Sequence, residues 1–127
     1  MNDTRAFFPL YTGFQAQAGQ AGTLSPSVTV AATNASATAS TVFPGNTGNN
    51  YSQIQIANTT SAWAHVNFGL VQGGQTVPAA TVAASYPVAP GAVVIVSVAQ
   101  EVNAASVILA TAPAASTSVI FTRGEGA

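Results

Sequence analysis

The chain contains very few charged residues. Only 4% of its 127 residues are Asp, Glu, Lys or Arg, and none of these lies between Ala6 and Gln100. Ordinary soluble domains carry about 25% charged residues, so the surface here must be built from Ser, Thr, Asn, Gln, Gly and Ala. Charge repulsion then contributes little to solubility. A protein that works packed against other proteins can tolerate such a surface.

Lysine is absent and arginine occurs twice, which leaves a net charge of −1. Binding to nucleic acid or to an anionic membrane draws on clusters of Lys and Arg. We therefore expect neither as a partner. No apolar run approaches the roughly 20 residues of a membrane-spanning helix. The N-terminus has no signal-peptide core before Pro9, so we expect the protein to be made and used without export.

Cysteine is absent, and histidine occurs once, at His65. The chain can therefore form neither a disulfide framework nor a thiolate metal site, and one His with three scattered acids cannot supply zinc within one chain. No Gly-x-Ser-x-Gly motif or phosphate-binding glycine fingerprint is present. We expect no catalytic residue, cofactor or metal, and a metal held by His65 from several subunits at a symmetry axis is the remaining alternative.

The clearest structural pattern is YSQIQIANTTSAWAHVNFGL, at residues 51–70. Two alternating stretches flank the polar NTTS, and side chains of a strand point to opposite faces with a period of two. We predict two antiparallel strands joined by a polar turn. The core face of the second strand is predicted to comprise Ala62, Ala64, Val66, Phe68 and Leu70, and the opposite face Trp63, His65, Asn67 and Gly69.

Further short strands are predicted along the chain, with no amphipathic helix. Residues 27–32 alternate with Val28 and Val30 inward, and residues 33–41 form an irregular strand. The run AVVIVSV at 92–98 is apolar at both parities, as in a strand buried on both faces. Seven or eight short strands favour a single-domain antiparallel β-sandwich, with a barrel second. The other predicted strands lie at 106–110, at 118–122 and, as an edge strand containing Pro78, at 77–84.

The first dozen residues are too apolar for a free tail. We predict an extended N-terminal arm and loop over residues 1–22, packing on its own domain or on a neighbour, and a β-sandwich domain over 23–127. The arm supplies three candidate interface residues, Phe7, Phe8 and Tyr11.

The other candidate interface residues are Trp63, His65, Asn67 and Arg123. Trp is enriched at the energetic centres of interfaces, and Trp63 could also act as a sugar platform. Alternatively, the face of the strand that carries Trp63 packs on the second sheet or lies beneath the N-terminal arm. Arg123 could pair with Glu125 or Glu101, and an exposed pair contributes about 1 kcal/mol or less.

Four segments of the second half, QIQIANTTSAWAHVNFG, YPVAPGAVVIVSV, ASVILAT and the terminal VIFTRGEG, resemble small virion proteins of tailed bacteriophages. In those proteins a Pro-Gly turn precedes a β-branched run, and an aromatic-Thr-x-Gly-Glu-Gly segment ends the chain. The resemblance covers residues 51–127. It implies a capsid decoration (cement) protein, or another structural protein of the particle, with a β-sandwich of jelly-roll type. No catalytic residues come with it.

The leading hypothesis is a non-enzymatic virion protein that forms a dimer or trimer on the capsid surface after assembly in the host cytoplasm. Its partners would be the major capsid protein and itself. Cement proteins span neighbouring capsomers through contacts on the order of 1,000 Å² or more, and repetition over the lattice adds avidity. The alternatives are a phage tail, fibre or lectin-like domain that uses Trp63, and a small hydrolase that uses His65.

Overall fold

The computed structural model describes residues 8–9, 27–40, 53–71, 77–99 and 102–125. Within these ranges it contains nine strands and no helix, and so nothing helical that could cross a membrane. The strands are β1 (Phe8–Pro9), β2 (Ser27–Ala31), β3 (Thr38–Ser40), β4 (Gln53–Asn58), β5 (Ala64–Gly69), β6 (Tyr86–Val88), β7 (Val93–Ser97), β8 (Ala104–Leu109) and β9 (Ser118–Glu125).

The strands form two antiparallel sheets. In the first sheet the order is β1-β9-β4-β7, and β2 also pairs with β9. Strands β1 and β2 share one edge, since β2 covers residues 118–122 of β9 and β1 covers 124–125. In the second sheet the order is β3-β8-β5-β6. This arrangement confirms the predicted all-β, β-sandwich-like fold.

Among the described residues, one hydrophobic cluster joins the two sheets. The Phe121 ring of the first sheet meets the Phe68 ring of the second edge-on, with centroids 6.3 Å apart. Alternate positions of β4 are buried, as the sequence pattern predicts, whereas β8 is buried at four consecutive positions, 104–107. The buried core includes Val30, Ile54, Ile56 and Val119 from the first sheet, and Ala64, Val66, Val88, Val107 and Leu109 from the second.

The predicted hairpin over residues 51–70 is wrong in one respect. Both strands exist, but β4 pairs with β7 and β9 whereas β5 pairs with β6 and β8. The connection is too long for the two-residue turn that most favours a hairpin, and it carries the chain from one sheet to the other. The core prediction also fails at Leu70, which is 40% exposed, because β5 has already ended at Gly69.

The prediction that residues 92–98 are buried on both faces is also wrong. Strand β7 lies at the edge of the first sheet. Val94 and Val96 pack against the core, whereas Val93 and Ile95 are 60% and 36% exposed. Apolar residues at both parities therefore mark an edge strand here rather than a central one.

Residues 77–84 form no strand; a turn occupies 82–84. The segment lies instead on the outer face of the second sheet, where Val77 and Ala80 are buried. The Ser106 hydroxyl donates a hydrogen bond to the Pro78 carbonyl (2.8 Å). A Cβ at Gly69 would lie 2.9 Å from Pro78 Cδ, so only glycine allows this close approach.

We expect Gly69→Ala to destabilise the protein by about 1–3 kcal/mol, because the added methyl group overpacks this contact. Thermal or urea unfolding measures the loss, and adding Pro78→Ala should recover part of it. Gly91→Ala is the control: its φ of +73° disfavours a side chain, but nothing lies within 4 Å of the new Cβ. Wild-type stability in Gly69→Ala would mean that residues 77–80 are not held against β5.

Candidate functional site

Four connections meet at one end of the molecule, which we call the loop end: residues 32–37, 59–63, 89–92 and 110–117. Each is hydrogen-bonded to another connection or to a strand terminus. The Leu109 amide donates to the Thr33 carbonyl (2.9 Å), and the Ala32 amide to the Thr117 carbonyl (2.8 Å). The Ala114 amide donates to the Ser61 hydroxyl (2.8 Å). These bonds hold the loop end as one connected surface.

The Asn58 side chain is the central link of the loop end, and it is only 1% exposed. Its amide nitrogen lies within donating distance of the carbonyls of Ala62 (2.9 Å), Val88 (3.0 Å) and Ala89 (3.1 Å). Its amide oxygen accepts from the backbone N–H of Thr60 (3.0 Å) and from the Thr60 hydroxyl (2.7 Å). Buried polar groups of the β4–β5 and β6–β7 connections are thus satisfied by one side chain.

Sequence reasoning missed the role of Asn58 and placed it in a polar turn. A signal was available: Asn58 has the same parity as Ile54 and Ile56, whose side chains point into the core. Continuing the alternation by two positions puts a polar side chain inside. A buried amide must then find partners in nearby backbone, which the tight bend at 59–62 supplies.

Trp63 is exposed at the loop end, immediately before β5. Almost half of its surface (49%) is accessible, while its carbonyl accepts a hydrogen bond from the Ala110 amide (2.9 Å). The backbone is therefore fixed and the indole faces solvent. The predicted alternative that Trp63 packs on the second sheet is wrong.

His65 and Asn67 lie on the outer face of the second sheet and are half-buried. The Asn67 amide reaches the Pro78 carbonyl at 3.4 Å, so residues 77–80 cover part of this face. The neighbours of His65 on the adjacent strands are Pro87 and Ile108. Its Nδ1 atom is buried with no hydrogen-bond partner.

Arg123 is separate from the other candidates. It follows Val119 and Phe121 at the same inward parity of β9, and it is 1% exposed. Its guanidinium donates to the Val102 carbonyl, and burial lowers the pKa of this base from its usual value. The predicted exposure of Arg123 is therefore wrong, whereas its predicted pairing with Glu125 or Glu101 involves side chains outside the described residues and stays a prediction.

The N-terminal arm is described only at β1, where Phe8 pairs with Glu125 and Pro9 with Gly124. This pairing joins the backbone of the arm to its own domain. Phe7, Tyr11 and the Phe8 side chain lie outside the described residues, so their interface role stays a prediction, as do the boundaries 1–22 and 23–127.

The exposed surface of the described residues is almost without charge. The ranges 27–40, 53–71 and 77–99 contain no Asp, Glu, Lys or Arg. The described part of the chain contains no cluster of three or more His, Cys, Asp or Glu that could hold a metal ion. What this surface offers chemically is hydroxyls, amides and a few apolar side chains.

The fold and its surface define an all-β domain of two antiparallel sheets, with a hydrogen-bonded loop end that presents a tryptophan. Comparison with known proteins adds no family: no protein-family model, curated protein or solved structure matches the chain.

Proposed function

We propose that the chain is a non-enzymatic structural protein of a tailed-bacteriophage virion. Specifically, we propose a capsid decoration (cement) protein that assembles in the host cytoplasm and forms oligomers on the capsid surface. Its partners would be the major capsid protein and further copies of itself. By bridging capsomers it would stabilise the shell, without nucleic acid, membrane, cofactor or catalytic residues.

The observation that carries this proposal is the strand order. Leaving aside the two-residue β1, the first sheet runs β2-β9-β4-β7 and the second runs β3-β8-β5-β6. Connections β2–β3, β4–β5, β6–β7 and β8–β9 each pass from one sheet to the other, which supports the proposal of a jelly roll. That architecture recurs in viral capsid and lectin domains. Because a fold alone does not determine function, the surface must supply the second argument.

The surface favours permanent packing against other proteins. Interface centres are depleted of charge and enriched in aromatic residues. The described surface carries almost no charge, and Trp63 is held by a fixed backbone with its indole exposed. The resemblance of residues 51–127 to virion proteins points to the same class of function.

The test is binding to expanded capsids that lack decoration protein. We expect saturable co-sedimentation and, by native mass spectrometry, a symmetric oligomer. A protein that stays monomeric and does not bind these shells would contradict the proposal.

Trp63→Ala should weaken capsid binding at least tenfold, because a Trp at an interface centre contributes about 2 kcal/mol or more. Val82→Ala is a matched control, since Val82 is as exposed as Trp63 (both 49%) but lies outside the loop end. Both variants should keep nearly the wild-type melting temperature. Equal binding by the two variants would place the contact elsewhere.

A lectin-like or fibre domain is the second candidate, and the exposure of Trp63 beside hydroxyl-bearing loops favours it. Sugars stack on exposed aromatic rings while their hydroxyls bond to neighbouring polar groups. A glycan array probed with wild type and Trp63→Ala decides this candidate. If no glycan signal depends on Trp63, the lectin-like candidate is ruled out.

A further inference from the structure

Strand β7 forms one edge of the first sheet in the part of the chain that the structure describes. Among the described strands only β4 pairs with it. An edge strand presents unpaired backbone N–H and C=O groups that can template another strand. Val93 and Ile95 add exposed apolar surface beside this edge, at 60% and 36% exposure.

Within the described residues, β7 shows none of the usual sequence protections of an edge strand. Proteins protect edges with charged residues, proline, bulges or very short strands. The sequence VVIVS contains neither a charge nor a proline, and its pairing with β4 is regular over all five residues. Strands β3 and β6 at the edges of the second sheet are only three residues long, and β6 contains Pro87.

A second copy of the chain fits this edge better than a charged partner does. Residues 91–99 carry no charge, so two copies can approach edge to edge without repulsion. The opposite edge of the sheet, at β2, exposes Ser27, Thr29 and Ala31, which offer far less apolar surface. Pairing β7 with itself closes the assembly at two copies, whereas pairing β7 with β2 would propagate.

We propose that two copies associate through antiparallel pairing of their β7 strands, which joins their first sheets into one continuous sheet. This inference deepens the self-association in the proposed function and rests on it. A two-fold axis at Ile95 aligns Ile95 with its own copy, Val94 with Val96, and Val93 with Ser97. In this register the core-facing residues of both copies lie on the same side of the joined sheet. A shift by one residue would place core-facing residues of one copy beside solvent-facing residues of the other.

The contact is small. Five paired residues bury far less than the roughly 1,000 Å² of a stable specific interface. The dimer is therefore expected to dissociate on dilution. Copies held side by side on a shell would have a high effective concentration, which favours the pair without any new contact.

The absence of cysteine from the chain allows a direct test by single-cysteine cross-linking of the full chain. Opposed residues of an antiparallel pair have Cβ atoms about 4.5–5.5 Å apart, close to the separation that a disulfide spans. Under mild oxidation Ile95→Cys should give a disulfide-linked dimer. The two copies of Val93→Cys would lie about 13 Å apart, at roughly 3.3 Å per residue, and should cross-link at least tenfold more slowly.

Thr29→Cys is the control for random collision, because Thr29 is exposed on the same face at the opposite edge. Equal rates for all three variants, or no dimer from Ile95→Cys, would overturn the pairing. Faster cross-linking of Thr29→Cys would place the contact at β2 and overturn it equally. Sedimentation of Ile95→Lys should show a monomer at concentrations where Thr29→Lys still associates.

The capsid assay separates this inference from the proposed function. If the wild type binds shells but Ile95→Cys does not cross-link, the β7 pairing is wrong and the decoration function stands. If Ile95→Cys cross-links but the wild type does not bind shells, the β7 pairing stands and the decoration function is wrong.

Discussion

Replacing Asn58 with alanine is expected to lower the free energy of unfolding by about 3–5 kcal/mol. The change removes the donor that serves the carbonyls of Ala62, Val88 and Ala89, and the acceptor that serves Thr60. Each buried polar group left unsatisfied costs about 1–3 kcal/mol. Several hydrogen bonds are lost together here, although partial relaxation of the structure keeps the total loss of stability below the sum of their separate costs. Urea unfolding monitored by Trp63 fluorescence measures the effect.

Thr59→Ala is the control for Asn58→Ala, since it alters the same connection at its exposed side. The Thr59 hydroxyl bonds to the Ser118 carbonyl and the Ser116 hydroxyl at the surface, where water can replace it. We expect a loss of about 1 kcal/mol or less. Asn58→Asp should remain strongly destabilising, because a carboxylate cannot donate to the three carbonyls. A small effect of Asn58→Ala would show that the loop end does not depend on this side chain.

A rigid loop end bears directly on the proposed function. An exposed Trp63 contributes most to binding when its backbone is already ordered in the free protein. The Asn58 network joins the β4–β5 connection, which carries Trp63, to the β6–β7 connection. Destabilising the network should therefore reduce capsid binding through the position of Trp63, even at temperatures where the protein stays folded.

The sequence predicted local features well because they depend on local periodicity. Ile54, Ile56 and Val66 are buried where the alternation places them. Strand pairing is a different matter, because it is set by contacts between distant parts of the chain. The alternation in residues 53–58 and 64–69 is the same whether the two strands pair with each other or lie in opposite sheets.

The character of the surface was harder to predict. The apolar run around Val94 looks the same in a central strand and in an edge strand, so only the order of the sheet reveals the open side of β7. Trp63 was assigned to the face of His65 and Asn67 by parity. It precedes β5, however, and a residue outside a strand need not follow the alternation.

Arg123 shows how a polar residue at a core parity can be accommodated, and its replacement is the second large effect we expect. Arg123→Ala should cost about 3–5 kcal/mol, since it removes a long buried side chain and leaves a cavity. It also removes the donor to the Val102 carbonyl. Arg123→Met fills similar volume and removes the desolvation that lowers the pKa of Arg123. Replacing a whole buried ion pair by apolar side chains is often neutral or stabilising, whereas removing one partner leaves the other unsatisfied.

We expect Arg123→Met to destabilise the protein less than Arg123→Ala, because Met restores the packing but still leaves the Val102 carbonyl without its donor. Folding lowers the pKa of Arg123, so its charge destabilises the folded state at every pH below the folded-state pKa. This cost to stability is relieved only when the pH rises through that pKa. Arginine keeps its proton at ordinary pH, so the difference between Arg123→Met and wild type should stay constant from about pH 5 to 9. If Arg123→Met lowered the free energy of unfolding as much as Arg123→Ala, then the hydrogen bonds of the guanidinium, rather than its packing, would stabilise this side of β9.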